Sequence, residues 1–170
     1  MTNEQEDKII NNLIIGLGTY ALGNIKDSRN IHKPPVNINM LLGTFILCSC
    51  FIDQMAQIRY FDQKGMGNRF RKFVKEYLGP QYKPGKLYDS LRSRLVHNYS
   101  VQGKYWLTDG REFNHLEPIK GRIYLNIDDF IADIETAWKR FKNDLLSNYE
   151  VRELALKHEK KFPVLKEGFM

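Results

Sequence analysis

Leu87-Tyr-Asp-Ser-Leu-Arg-Ser-Arg-Leu-Val-His-Asn-Tyr-Ser100 is the stretch from which the fold of this chain is read. It contains no glycine or proline, and Leu87, Leu91 and Leu95 recur every fourth residue, so it reads as an amphipathic helix. With Leu87 at zero and about 100° per residue, Leu91, Leu95, Tyr88 and Tyr99 fall between about 40° and 120°. That arc is the expected buried face. Ser93 and His97, four residues apart, stack on the opposite side at about 240° and 280°, with Ser90 and Arg94 beside them. Arg92 lies at about 140°, on the shoulder of the apolar face, from which its long stem reaches the space above His97. A guanidinium holds a phosphate with two hydrogen bonds, and an imidazole titrates near neutrality. Together they can move protons around a phosphodiester without a metal.

Arg92-Ser-Arg-Leu-Val-His97-Asn-Tyr99 resembles the Arg-x4-6-His motif of the HEPN family (higher eukaryotes and prokaryotes nucleotide-binding). It matches the Arg-x4-His-x-Tyr version, found in toxins that pair with minimal nucleotidyltransferases. The resemblance implies an all-α fold, a HEPN-like antiparallel bundle of four or five helices. It implies a homodimer whose motif helices face each other across a basic cleft, and a metal-independent endoribonuclease acting on RNA. Carried over residue by residue, Arg92 contacts the scissile phosphate, His97 is the general acid/base, and Tyr99 matches the tyrosine adenylylated by the nucleotidyltransferase antitoxin. Ser93, Arg94 and Asn98 take supporting places on the same helix. Ser93 stands where the family has Asn, Asp or His, and its hydroxyl reaches less far across one turn to His97. It is the feature that leans toward an alternative, a non-catalytic HEPN module binding a nucleotide, RNA or a partner protein.

The 170 residues, 42% of them hydrophobic, suffice for one core, so residues 1–160 are expected to form a single domain with 161–170 as a tail. Lysine and arginine number 26 against 20 acids, a net charge of +6 that favours a polyanionic partner. Cys48 and Cys50 sit in an apolar stretch and read as reduced core residues of a cytoplasmic protein. His32, His97, His115 and His158 show no zinc-ligand spacing, so no metal or cofactor is expected. No signal peptide is recognisable, and the apolar run Met40 to Ile52, at 13 residues, is too short to cross a bilayer.

Ile9, Ile10, Leu13, Ile14, Leu17, Tyr20 and Ala21 give a helical period from Glu4 to Leu22, with Asn3 as its cap. Gly16, Gly18 and Gly23 fit no dinucleotide fingerprint and read as close-packing points. The polar stretch Asn24 to Asn39, with Pro34-Pro35, reads as a loop, and Asn37 or Asn39 as the next cap. A buried helix follows from Met40 to Tyr60, and a third, capped by Asn68, from Arg69 to Leu78. Lys64, Arg69, Arg71, Lys72 and Lys75 crowd there beside Phe70, Phe73 and Tyr77 and form the candidate RNA-binding patch, with a solvated basic face as the plainer reading. Lys104–Thr108 and Gly121–Ile127 read as a small inserted β-hairpin with Phe113–Lys120 in its connection. Asp128-Asp129 open one last long helix, from Phe130 to about His158.

Overall fold

The computed structural model describes residues 2–31, 38–98, 100 and 103–163. The chain is mainly helical, with one small sheet. Helix α1 (Asn3–Ile15) continues through a π-wound stretch (Gly16–Ala21) into α2 (Leu22–Ile31), and α3 (Ile38–Arg59) follows. Helix α4 (Met66–Phe73) runs into a second π-wound stretch (Val74–Leu78). The motif helix comprises α5 (Pro84–Leu87), a third π-wound stretch (Tyr88–Leu95) and α6 (Val96–Asn98). Strands β1 (Tyr105–Thr108), β2 (Pro118–Ile119) and β3 (Arg122–Asn126) precede α7 (Ile127–Ser147) and α8 (Tyr149–Lys161). Continuous segments merge into 6 helical rods among the described residues, more than the four or five expected.

Helix α3 is the axis of the core. Phe45, Cys48, Ile52, Met55 and Ala56 recur at helical spacing and are all buried, against α2, α4, α7, α8 and the motif helix. Its stretch Leu41–Arg59, with mean hydropathy 1.5, is long and apolar enough to cross a membrane by length and composition, which corrects the shorter run read from the sequence. Its residues are 67% buried inside the fold, so packing already accounts for its apolar character. Cys48 belongs to this core, whereas Cys50 is exposed, contrary to expectation.

The polar stretch after Leu22 is helical as far as Ile31 rather than a loop. Leu22 and Ile25 are buried in the core, and ion pairs continue that contact where the apolar positions run out: Arg29 holds Asp128 through two bonds of 2.6 and 3.0 Å, and Lys26 meets Glu135 at 2.7 Å, both on α7. Gly18 is a close-packing point, since a Cβ there would lie 3.2 Å from the Trp138 ring, but Gly23 has nothing within 4 Å. Thr2, not Asn3, caps α1, in a capping box with Gln5. Asn39 lies inside α3, while His32, Pro34-Pro35 and Asn37 lie outside the described residues. Gly65, at φ 86°, precedes α4, so Asn68 falls in the first turn instead of capping it.

The single last helix is two. Asn148 adopts an extended conformation, and its side chain accepts from the amides of Glu150 and Val151, ending α7 and capping α8. No glycine or proline marks that break. Helix α8 reaches Lys161, so the expected tail boundary moves, and residues 164–170 lie outside the described residues.

The sheet has the order β1-β3-β2. Strand β1 pairs parallel with β3, Tyr105 opposite Ile123, whereas β2 pairs antiparallel with β3 through the two-residue turn Lys120-Gly121. The expected hairpin between Lys104–Thr108 and Gly121–Ile127 is thus replaced by a parallel pair, because the connection supplies the antiparallel neighbour itself. Half-buried polar bonds fasten β3 and the connection before β2 to the helices. The Tyr82 hydroxyl donates to Asp133 Oδ2 at 2.5 Å and lies 2.8 Å from His115 Nε2. The Asn126 amide donates to His115 Nδ1 at 3.3 Å, so Nε2 carries the proton of the neutral ring. Burial lowers the pKa of His115 and raises that of Tyr82.

Candidate active site

The motif helix starts with Pro84 in its first turn, where the missing N–H costs nothing. Leu87, Leu91 and Leu95 are fully buried, each contributing about 1.5–3 kcal/mol, and they fix the rotation of the helix about its axis. Tyr88 is partly buried against the same core. From Tyr88 to Leu95 the backbone is π-wound, and the Val96 amide donates to the Leu91 carbonyl, five residues back. An i→i+5 ladder turns through a smaller angle per residue than an α-helix, so side chains five apart become neighbours.

The neighbour of His97 is therefore Arg92, not Ser93. Arg92 Nη1 lies 3.2 Å from His97 Nε2, two groups that uniform α-geometry sets about 140° apart. The expected bond from Ser93 to His97 is replaced by this one. A guanidinium has only donors, so Nε2 accepts and the proton of the ring sits on Nδ1.

Asp53, on α3, holds the guanidinium from behind. Arg92 Nε donates to Asp53 Oδ2 at 3.0 Å, with the two side chains 14% and 5% exposed, and Arg92 Nη2 faces the Met66 sulfur at 3.5 Å. Gln57 Nε2 reaches the same Asp53 oxygen at 3.5 Å, while Asp53 Oδ1 is buried without a partner. A buried pair of this kind gains little net stability, but a lone charge left there is costly, so the pair fixes orientation. His97 stands exposed at the outer end of this chain of contacts. The arrangement offers a held cation beside an accessible imidazole whose acceptor nitrogen that cation occupies. An incoming phosphate would compete for Nη1–H and release the Nε2 lone pair.

Of the supporting residues, Ser93 is half-buried, Asn98 is exposed and Tyr99 lies outside the described residues. Arg94 lines a different cleft, together with Lys86 and Ser90. The basic patch divides between two aromatic partners. Arg71 lies over the Tyr88 ring at 4.8 Å and bonds Asn68, while Lys72 lies over Tyr60 at 4.6 Å. Lys64 and Lys75 are exposed, and Arg69 keeps a buried Nε without a partner. A Cβ on Gly67 would lie 3.0 Å from the Tyr88 ring, so α4 packs tightly on the motif helix and brings Met66 to Arg92.

Asp53 is the residue that reading the sequence missed. A signal existed: a carboxylate amid Phe51, Ile52, Met55 and Ala56 on a buried helix requires a cation. Among the described residues, no group of three His, Cys, Asp or Glu could hold a metal ion. No family model, curated protein or solved structure matches the chain.

Proposed function

We propose that the chain is a metal-independent endoribonuclease of the HEPN type, a cytoplasmic toxin or phage-defence protein acting on RNA as a homodimer. The observation that carries this reading is the bond between Arg92 and the exposed His97, with Asp53 anchoring the arginine. In the reaction, the substrate phosphate draws Arg92 Nη1–H away from the imidazole, and His97 Nε2 takes the proton of the ribose 2′-hydroxyl. The O2′–P bond forms as the P–O5′ bond breaks, Arg92 offsets the charge on the phosphorane, and the leaving 5′-oxygen takes a proton. The products are a 2′,3′-cyclic phosphate and a 5′-hydroxyl, and DNA is not cut. One chain carries one such imidazole; a facing second copy supplies the acid that protonates the leaving oxygen. In this reading Tyr99 is the site at which a nucleotidyltransferase antitoxin silences the protein.

Incubating purified protein with end-labelled RNA in EDTA tests the reading. Fragments ending in 2′,3′-cyclic phosphate from wild type, and none from His97→Ala, are expected; the same products from both proteins would remove the assignment.

One observation favours a second reading, a non-catalytic HEPN module. The charge of Arg92 is already met by Asp53, which reduces what it can offer a phosphorane. Ligand-dependent thermal shifts without cleavage would establish that module.

A further inference from the structure

The cleft that receives Arg94 is a second site of distinct chemistry. It encloses about 520 Å³ between the motif helix and the sheet. Five cations from four parts of the chain line it: Lys86 and Arg94 on the helix, Lys104 before β1, Lys120 in the β2–β3 turn and Arg122 on β3. Among the described residues, Asp89 is the single acidic side chain in the lining, and no carboxylate forms an ion pair with any of the five. Five unneutralised charges around one concave volume focus a positive potential there that favours an anion.

Two local features build the cleft at a cost. Gly103 passes so close to the motif helix that a Cβ would lie 2.4 Å from Ser90 Oγ and 3.1 Å from Ser90 Cα. The Lys104 amide donates to that same Oγ at 3.0 Å, fastening the sheet's entry to the helix. In the turn, Lys120 and Gly121 have φ of 47° and 78°. A two-residue turn with both φ positive favours Asn-Gly, and a lysine in its first place is strained. The turn therefore spends conformational energy to place an ammonium group at the rim of the cleft.

We propose that this cleft binds closely spaced phosphate groups. Among the described residues the lining contains no aromatic side chain on which a base could stack, so these residues recognise phosphates and not sequence. Two sources share this chemistry, the backbone of an RNA strand and the chain of a free polyphosphate or nucleoside triphosphate. The site stands apart from the nuclease reading, because its ligand is held by residues other than Arg92 and His97.

Lys120→Asn provides the test, since asparagine suits the turn and removes the cation. Calorimetric titration of wild type, Lys120→Asn and Lys104→Gln/Arg122→Gln with inorganic tripolyphosphate and, separately, with single-stranded RNA distinguishes the sources. His97→Ala serves as background for the RNA arm, so that binding is read without cleavage. Each variant is expected to keep its melting temperature or, for Lys120→Asn, to raise it, and to bind at least about tenfold more weakly. Loss confined to tripolyphosphate identifies a polyphosphate site, and loss confined to RNA identifies a backbone site. Unchanged affinity for both ligands, or no binding of either by wild type, overturns the proposal.

Discussion

Asp53 Oδ2 and Arg92 Nε meet at 3.0 Å across the packing of α3 against the motif helix, the one carboxylate of a mainly apolar helix matched to one arginine. Asp53→Ala leaves the guanidinium partly buried and unpaired, and is expected to cost about 3–5 kcal/mol in urea denaturation. Asp53→Leu/Arg92→Met, which replaces the pair by apolar groups of similar volume, should regain most of that stability. A double variant as unstable as Asp53→Ala would show that the loss comes from packing and not from the stranded charge.

Arg92 uses three nitrogens in three directions, toward Asp53, His97 and Met66. A lysine cannot reproduce that fork. If the chain is a ribonuclease, Arg92→Lys should lower kcat by about 10²-fold or more at nearly native stability, and His97→Ala by about 10²–10⁴-fold. Cleavage by Arg92→Lys at the wild-type rate would show that charge alone suffices there.

His115 accepts from the Asn126 amide through Nδ1, and burial lowers its pKa. The unfolded chain then takes up a proton near the ordinary imidazole value of about 6.5, while the folded chain does so only at lower pH. Stability contributed by this ring is complete above that value and is lost as pH falls below it. His115→Asn, whose side-chain oxygen can still accept the amide, should flatten this part of the profile in denaturation curves between about pH 7.5 and pH 5 relative to wild type. Parallel profiles would assign the acid sensitivity to other groups.

Gly103→Ala should cost about 1–3 kcal/mol, since its methyl group meets Ser90 backbone as well as its hydroxyl. Ser90→Gly removes that hydroxyl, and with it the bond from the Lys104 amide, so the double variant should lose less stability in thermal unfolding than the two single variants added together. Strictly additive losses would place the clash elsewhere.

The helical elements were legible because their apolar positions repeat, as Leu87, Leu91 and Leu95 do. What escaped lay where polar groups replace that repeat. The helix through Ile31 is held by Arg29 and Lys26, whose partners lie on α7, about a hundred residues away in sequence, and the break at Asn148 is a side-chain cap with no glycine or proline to announce it. Strands were recognisable from Tyr105–Thr108 and Arg122–Asn126, but alternation carries no direction, so their parallel pairing was not. In the site, Arg92 and His97 were singled out by residue type. Asp53 was legible only as a carboxylate on an apolar helix in need of a cation; which cation it meets is decided across the contact between two helices.

The π-wound stretch has the geometry of a helix carrying one surplus residue. Regular α winding over the same residues would carry the imidazole about 140° away from the arginine, whereas deleting a single residue from Ser93–Leu95 would set the two groups at i and i+4, about 40° apart, on a plain α ladder. The shortened protein would be the more regular one and would still bring the imidazole and the arginine to the same side. The winding of the backbone, as much as residue identity, sets which two groups on this helix can exchange a proton through a common ligand.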